Sequence, residues 1–296
     1  GIIAEHKRVR ETVGVFDVTH MGEFEVRGAD AFAFVQRMTT NDVTKLAEGD
    51  VQYSTMCYDN GGIVDDLLVY HCGDYAQLVV NASNLEKDFD WLREHVTGDV
   101  QLVDRSDETA LLAVQGPRSA DTLRKITDIP VDEMKYYTFR RGKVAGIDCL
   151  LSRTGYTGEL GFELYFPAER ALGEKMWNAI FEAGEEFGIE PIGLGARDTL
   201  RLEVGFCLYG NDIDQDTNPL EAKLGWITKL QKGDFVGREA LLAAKEAGLK
   251  RTLVGLTLEG RAIPRHGYEI AVGGEVRGYV TSGTMSPLLE KGIAMA

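Results

Sequence analysis

Short stretches of alternating or unbroken apolar residues, each bounded by Gly, Asn, Asp or Pro, recur along the whole chain and predict β-strands. The clearest are GEFEVRG at 22–28, AQLVVNA at 76–82, ALLAVQGP at 110–117 and GFELYFP at 161–167. Between them the period lengthens. Phe89, Leu92 and Val96 share one face of a segment that opens on Ser83-Asn84-Leu85-Glu86, a capping-box signature, and so predict a helix. Over 169–187, Leu172, Met176, Ile180, Ala183 and Phe187 repeat at three- and four-residue steps, and Trp177 and Phe181 widen the stripe. That pattern predicts a longer helix packed on a core. Residues 196–204 fit one more helix with Leu200 and Val204 inward, and 232–250 is a charge-rich helical stretch. Beyond it TLVGLTL, YEIAV and EVRGYVTSG read as all-β. Gly273-Gly274 suits a hairpin turn between two of these strands, because glycine tolerates the positive φ of primed turns. Strands and helices intermingle without the regular alternation of a doubly wound sheet, so the expected class is α+β with antiparallel sheets.

Composition narrows the class of function. With 296 residues, 44% hydrophobic and 27% charged, the chain is long and apolar enough for two or three modules, which excludes fibrous and disordered readings. Lys+Arg 32 against Asp+Glu 47 gives a net charge of −15, so a nucleic-acid duplex is repelled. No run approaches the ~18 apolar residues of a membrane span, and no basic-plus-apolar leader opens the chain, so a cytosolic or organellar protein is expected. Cys57, Cys72, Cys149 and Cys207 are scattered with no CxxC pair, which points to reduced thiols and not to a disulfide framework or zinc ribbon. The chain starts at Gly1 without a methionine and ends at Ala296 just after an apolar run; it reads as part of a longer protein.

Three segments are candidates for chemistry. In GGIVDDLLVYH (61–71) two glycines precede adjacent carboxylates on a strand, so at most one of Asp65 and Asp66 faces a given pocket. Alternation puts Asp66, Leu68 and Tyr70 on one face, where an acid and a phenol two steps apart can hold an amine-bearing heterocycle; a turn Asp and an ordinary strand Tyr fit the pattern as well. In SRTGYTGELGFELY (152–165), Gly155, Gly158 and Gly161 shape a loop leading into the strand of Glu163, either a ligand cradle or a plain hairpin connection. In GLGARDTLRLEVGFCLYGNDID (193–214), Arg197 sits at a helix start beside glycines, with Arg201 on the same side; it can reach a carboxylate or belong to a solvated salt-bridge face. His6, His20, His71, His95 and His266 make no HxH or HExxH spacing, and GxSxG, GxGxxG and GxxxxGK[ST] are absent, which argues against zincin, hydrolase, dinucleotide and P-loop readings.

Together FDVTHMGEFEVRG (16–28), MTTNDV (38–43), NGGIVDDLLVY (60–70), VVNASNLEKD (79–88), VQGPRS (114–119), SRTGYTGELGFEL (152–164), GLGARDTLRLEVGFCLYGNDID (193–214), Asn218-Pro219 and TSGTMSP (281–287) resemble the aminomethyltransferase, or T-protein, family of the glycine cleavage system, in order and over nearly the whole chain. The resemblance implies a three-domain cloverleaf of mostly antiparallel sheets with flanking helices around a central folate cavity. Its domains would be 1–50 with 138–225, 51–137 with 226–248, and a partial all-β domain at 249–296. The implied reaction moves a methylene group from aminomethyl-dihydrolipoyl H-protein to tetrahydrofolate and releases ammonia.

The second Asp of GGI-x-DDL is the family's key acid, so that role maps onto Asp66; Glu163 and Arg197 match folate-binding positions. Tyr53, Tyr70, Asn81, Tyr137 and Tyr156 match further pocket positions, and Met21 borders the ring. The implied co-substrate is tetrahydrofolate, with no metal, flavin or nicotinamide, and the implied partner is lipoylated H-protein; on a chain of net charge −15 its docking is expected to use a local basic patch including Arg118, Arg140 and Arg141. The compartment would be the cytoplasm of a bacterium or archaeon, or the mitochondrion of a eukaryote. By its reference value Asp66 is expected to be ionised at neutral pH. The resemblance implies further chain at both ends, with one folate-contacting arginine of the family expected beyond Ala296; Phe206 stands where some relatives carry a tyrosine. A folate-dependent demethylase of a small methylated amine or sulfur compound, and a folate-binding protein without turnover, are the alternatives.

Overall fold

The computed structural model describes residues 1–260 and 262–296. In chain order the first elements are α1 (Ile2–Glu11), β1 (Gly14–Asp17), β2 (Gly22–Arg27), α2 (Ala31–Met38), β3 (Val51–Cys57), β4 (Ile63–His71), β5 (Ala76–Val80) and α3 (Leu85–Glu94). There follow β6 (Gln101–Asp104), β7 (Thr109–Gln115), α4 (Ser119–Leu123), β8 (Phe139–Val144), β9 (Ile147–Ser152), β10 (Gly161–Pro167) and α5 (Arg170–Gly184). The last third holds β11 (Glu190–Pro191), α6 (Leu194–Glu203), α7 (Arg238–Ala247), β12 (Gly255–Thr257), β13 (Glu269–Val272), β14 (Glu275–Tyr279), β15 (Ser282–Met285) and β16 (Gly292–Met295). The class is α+β with antiparallel sheets, and the four clearest strand patterns all form strands.

The chain divides into two compact units. The first comprises residues 1–20, 106–206 and 285–290. Its six-stranded sheet has the order β11-β1-β7-β10-β9-β8, antiparallel except where β1 meets β11. Val114, Leu151, Phe162 and Leu164 point into a core that α5 closes with Met176 and Ile180, while Leu172, Trp177 and Phe181 pack at its margin as the period implied. Helix α6 departs from expectation in one respect. It ends at Glu203, so Val204 becomes the residue that caps it and is 41% exposed, whereas Arg201 is wholly buried. Arg201 can be buried because it donates to Asp198 Oδ1 at 2.8 Å and to the Phe206 carbonyl at 3.0 Å beyond the helix end.

Helix α1 is pinned to α6 by charge. Buried His6 bridges Thr199 Oγ1 at 2.8 Å and Glu203 Oε2 at 2.9 Å, and Arg10 reaches the same carboxylate at 3.1 Å. Burial raises the Glu203 pKa, but hydrogen bonds from His6, Ser286 and Arg10 outweigh it and hold the group down at about 2.

The second unit comprises residues 21–105, 207–284 and 291–296. Its five-stranded antiparallel sheet runs β3-β4-β5-β2-β6, and Phe24, Val26, Leu67, Val69 and Leu78 pack beneath α2 and α3. A register shift sits at Met56/Cys57, opposite the start of β4. The tail forms β-structure as its pattern implied. Gly273 and Gly274, at φ 62° and 88°, turn the β13–β14 hairpin.

Two helical expectations are corrected. The segment 232–250 is helical only over α7; Lys232, before it, donates instead to the carbonyls of Gln36, Thr39 and Asn41 at the end of α2, where a cation suits the helix dipole. The capping box is not made either. A single 3₁₀ turn at Ala82–Asn84 precedes α3, and Asn84 sits at its N-cap with its side chain committed elsewhere. Among the described residues, no helix is long and apolar enough to cross a membrane, and the four cysteines are free and buried.

Replacing Glu203 by Ala leaves His6 and Arg10 buried without their carboxylate and should lower stability by about 3 kcal/mol, read as a fall in Tm. Because its folded pKa of about 2 lies below the unfolded value, its contribution is present above about pH 4 and is lost as pH falls toward 2. The Tm gap between the two proteins should therefore narrow in acid.

Candidate functional site

The site is built around the middle of β4, where Asp65 and Asp66 leave the strand on opposite faces. Asp65 is wholly buried on the side of Leu67 and Val69, which belong to the core. Asp66 is only partly buried. Its Oδ2 accepts the Tyr53 hydroxyl at 2.8 Å from neighbouring β3, and its Oδ1 accepts the Asn81 amide at 2.9 Å. Asn81 stands at the end of β5 and also donates to Asp65, through its backbone N–H at 3.0 Å and its side chain at 2.9 Å. The Asn84 amide, from the segment read as a capping box, donates to Asp65 Oδ1 at 2.7 Å.

Electrostatics follow from this geometry. Burial, and then the charge of Asp65, push the Asp66 carboxyl up to about 7, against the opposing pull of Tyr53 and Asn81. The expectation of a fully ionised Asp66 at neutral pH is thus replaced by a group near half ionisation. Behind β4, Asp88 of α3 is wholly buried, 3.8 Å from Lys87 Nζ, and burial with the neighbouring charge of Asp65 pushes it up to about 11. It holds its proton. Lys87 donates to the Val64 carbonyl and lies 4.1 Å over the Tyr209 ring.

A second group lies within the first unit. Glu163 of β10 pairs with Ala113 and Ser152 in the sheet and accepts the Thr154 hydroxyl. Burial raises its pKa from the ordinary value, while Thr154 and the charge of Arg197 oppose the rise. Arg197 of α6 lies over the Tyr156 ring at 4.4 Å, and Tyr156 stacks on Phe206 at 5.7 Å. His20, which sequence reasoning set aside, is held below its usual pKa by burial and by Arg197. The glycines of 152–165 serve packing: a Cβ on Gly155 or Gly161 would lie 2.1 and 2.3 Å from the Gln115 side chain. Gln115 in turn donates to the carbonyls of Thr154 and Phe162 and accepts from Thr157, tying the loop around Tyr156 to the sheet.

The remaining candidates are placed as follows. Met21 lies just before β2, partly buried. Tyr70 is wholly buried in β4, two steps beyond partly buried Leu68, so it stands in the interior of the sheet. Tyr137 takes φ 61°, a left-handed conformation rare for an aromatic residue, and packs edge-on against Tyr136 at 4.7 Å. Sequence reasoning passed over Asp65, Asn84, Thr154 and Trp226, whose ring lies 6.1 Å from that of Tyr53. The Asn-x-x-Asn spacing of 81 and 84 was the available signal, since a single 3₁₀ turn brings both amides to one place. Among the described residues, no three His, Cys, Asp or Glu side chains are grouped to hold a metal ion.

Comparison with known proteins adds an independent line. Residues 1–232 match the family model described as the GCVT N-terminal domain, and residues 251–296 match the glycine cleavage T-protein C-terminal barrel domain. The aminomethyltransferase of Chloroherpeton thalassium is 58% identical over 99% of the chain and 81% of its own length; that of Halothermothrix orenii is 54% identical over 99% and 82%. The crystal structure of glycine cleavage system aminomethyltransferase T from Bartonella henselae superposes with a TM-score of 0.90 at 35% identity, covering all of this chain and 80% of that one.

Removing the Tyr53 hydroxyl tests the electrostatic account. In Tyr53→Phe the Asp66 carboxylate loses a donor that stabilises its charged form, so its pKa should rise above about 7. Carbon-detected NMR titration of the aspartate carboxyls reads this directly.

Proposed function

We propose, given that the chain belongs to the glycine cleavage T-protein family, that it works as an aminomethyltransferase whose reaction turns on Asp66. The methylene carbon of the aminomethyl-dihydrolipoyl arm is bonded to one sulfur and one nitrogen. In the transfer both bonds break: the nitrogen leaves as ammonia, the sulfur returns to a thiol, and the carbon becomes bonded to two nitrogens of tetrahydrofolate. The two protons these nitrogens lose balance those gained by ammonia and the thiol.

The observation that carries this reading is the state of Asp66: a partly buried residue whose carboxyl is oriented by Tyr53 and Asn81 and has a pKa close to neutrality. Such a group can hold an N–H in place as a carboxylate, stabilise positive charge developing on the reacting nitrogen, and accept a proton at neutral pH without trapping it. Glu163, Arg197 and Tyr156 suit folate recognition of another kind. A heterocycle with paired N–H donors fits a carboxylate, its glutamate carboxylate fits a guanidinium, and its flat rings fit an aromatic face. Met21, Tyr53, Tyr70, Asn81 and Tyr137 complete the proposed folate-binding set, and the three-domain division set out above belongs to the same proposal. No metal, flavin or nicotinamide enters these steps.

Lipoylated H-protein is the proposed donor partner. Arg140 and Arg141 are exposed on β8, and Arg118 is half-exposed beside Asp121 at 3.0 Å. On a chain of net charge −15 these arginines are the proposed source of positive charge for docking.

The decisive experiment is mass-resolved turnover with tetrahydrofolate, comparing aminomethylated lipoyl H-protein with free methylated amines and sulfonium compounds. The expected product is methylenetetrahydrofolate with ammonia, from the H-protein donor alone. Methyltetrahydrofolate from a small donor would transfer the protein to the demethylase class. Asp66→Asn should reduce kcat by about a hundredfold or more, and kcat of the parent should rise with pH through about 7, where the carboxylate forms. Reversing Arg140 and Arg141 to Glu should raise KM for H-protein, and raising salt should weaken docking of the parent more than of the variant.

A further inference from the structure

Asn81 makes two kinds of contact at once. Its side-chain nitrogen lies 2.9 Å from Asp65 Oδ1 and 2.9 Å from Asp66 Oδ1, so the two hydrogens of one amide serve carboxyls on opposite faces of β4. Its orientation is dictated by chemistry, because two carboxyl acceptors accept only the NH₂ end. The backbone N–H of Asn81 at 3.0 Å and the amide of Asn84 at 2.7 Å bind Asp65 in addition, so three N–H donors converge on a carboxyl that never reaches solvent. Nothing about core packing asks for an anion there.

We propose that Asp65 is a positioning residue for the transfer: it aims the Asn81 amide, and Asn81 in turn fixes the orientation of the Asp66 carboxyl. The proposal rests on the reading of Asp66 as the reacting acid and goes beyond it by assigning a role to the neighbour that cannot touch substrate. The groups that face this pair are Tyr53 from β3, Asn81 and Asn84 from the turn after β5, Lys87 and Asp88 from α3, and Tyr58 and Tyr209 from flanking segments. Asp88 keeps its proton, and Asp65 acts on Asp66 in two opposed ways. Its charge disfavours ionisation of Asp66, while the Asn81 amide it orients favours it.

The opposition makes the test specific. Full pH profiles of kcat and KM are measured for the parent, Asp65→Asn and Asn81→Ala with tetrahydrofolate and aminomethylated H-protein. Asp65→Asn keeps the shape and deletes the charge, so the acid limb of kcat should move down by about one pH unit. Asn81→Ala deletes the donor, so the limb should move up. In both, kcat at the plateau should fall about tenfold from lost orientation, with KM for H-protein within about twofold of the parent. A purely structural role would lower Tm and kcat while leaving the limb in place, and that result overturns the proposal. Should Asp65→Asn not fold, Asn84→Ala takes its place, since it removes a donor from Asp65 and none from Asp66: a lowered plateau kcat with KM for H-protein kept supports the positioning role, and an unchanged kcat overturns it. Asp66→Asn separates the two levels: if it retains normal turnover, the functional reading fails, whereas an inactive Asp66→Asn with unmoved limbs in the other variants removes only the positioning role.

Discussion

Two adjacent carboxyl groups in the middle of a strand face a constraint that the rest of the second unit is arranged to meet. Successive side chains leave a strand on opposite faces, so whichever acid reaches the accessible side, the other is driven into the core. A buried carboxylate is tolerated only with several hydrogen bonds, and the supply of donors must come from the next strand or the turn that follows it. Here the turn after β5 provides them: Asn81 and Asn84, one 3₁₀ turn apart, converge on Asp65, and the same Asn81 reaches around to Asp66. Asn84, at the N-cap of α3, gives its amide to Asp65 instead of to the helix, and burial with the charge of Asp65 keeps the proton on Asp88.

The first unit meets a related constraint by different means. Glu163 also sits in a sheet and is also pushed toward its neutral form by burial, but its counterweights are a hydroxyl from Thr154 and the charge of Arg197. The loop that delivers Thr154 and Tyr156 must therefore lie close against the sheet. Gln115 holds it there with bonds to Thr154 and Phe162, and only glycine at 155 and 161 leaves room for that side chain. The glycine density of this loop records a close approach of a side chain to backbone and needs no bound ligand to explain it.

These particulars mark where the sequence was legible. Element type and the apolar faces of α5 and of the main strands could be read because periodicity is a property of neighbours along the chain. The hairpin at Gly273-Gly274 was legible for the same reason, its chemistry being local. What failed was every feature decided by a partner distant in sequence. The segment from Ser83 to Glu86 reads as a capping box by local pattern, yet Asn84 takes the N-cap position and gives its amide to Asp65, 19 positions away. Val204 fits an apolar stripe by spacing, yet the helix stops one residue earlier. The ionisation of Asp66 was misjudged because a reference pKa contains no burial and no neighbour, and both are products of the fold. The family resemblance supplied candidate residues, but not how they hold one another.

A poised carboxyl also explains why the acid is an aspartate flanked by neutral donors and not by a cation. An arginine or lysine in contact with Asp66 would hold it ionised and depress its pKa, leaving a charge that binds an N–H well and accepts its proton poorly. Tyr53 and Asn81 hydrogen-bond it without adding charge, and Asp65 opposes its ionisation from across the strand. Lys87, the nearest ammonium of α3, is turned instead to the Val64 carbonyl, the Tyr209 ring and Asp88, behind β4. Orientation is thereby separated from charge neutralisation: hydrogen bonds set where the carboxyl points, and burial with a like charge sets how readily it takes up and gives back a proton. In the role proposed for Asp66, a reaction that moves protons from two folate nitrogens to ammonia and a thiol, with no net change, would use a carboxyl that takes up and gives back a proton near neutral pH.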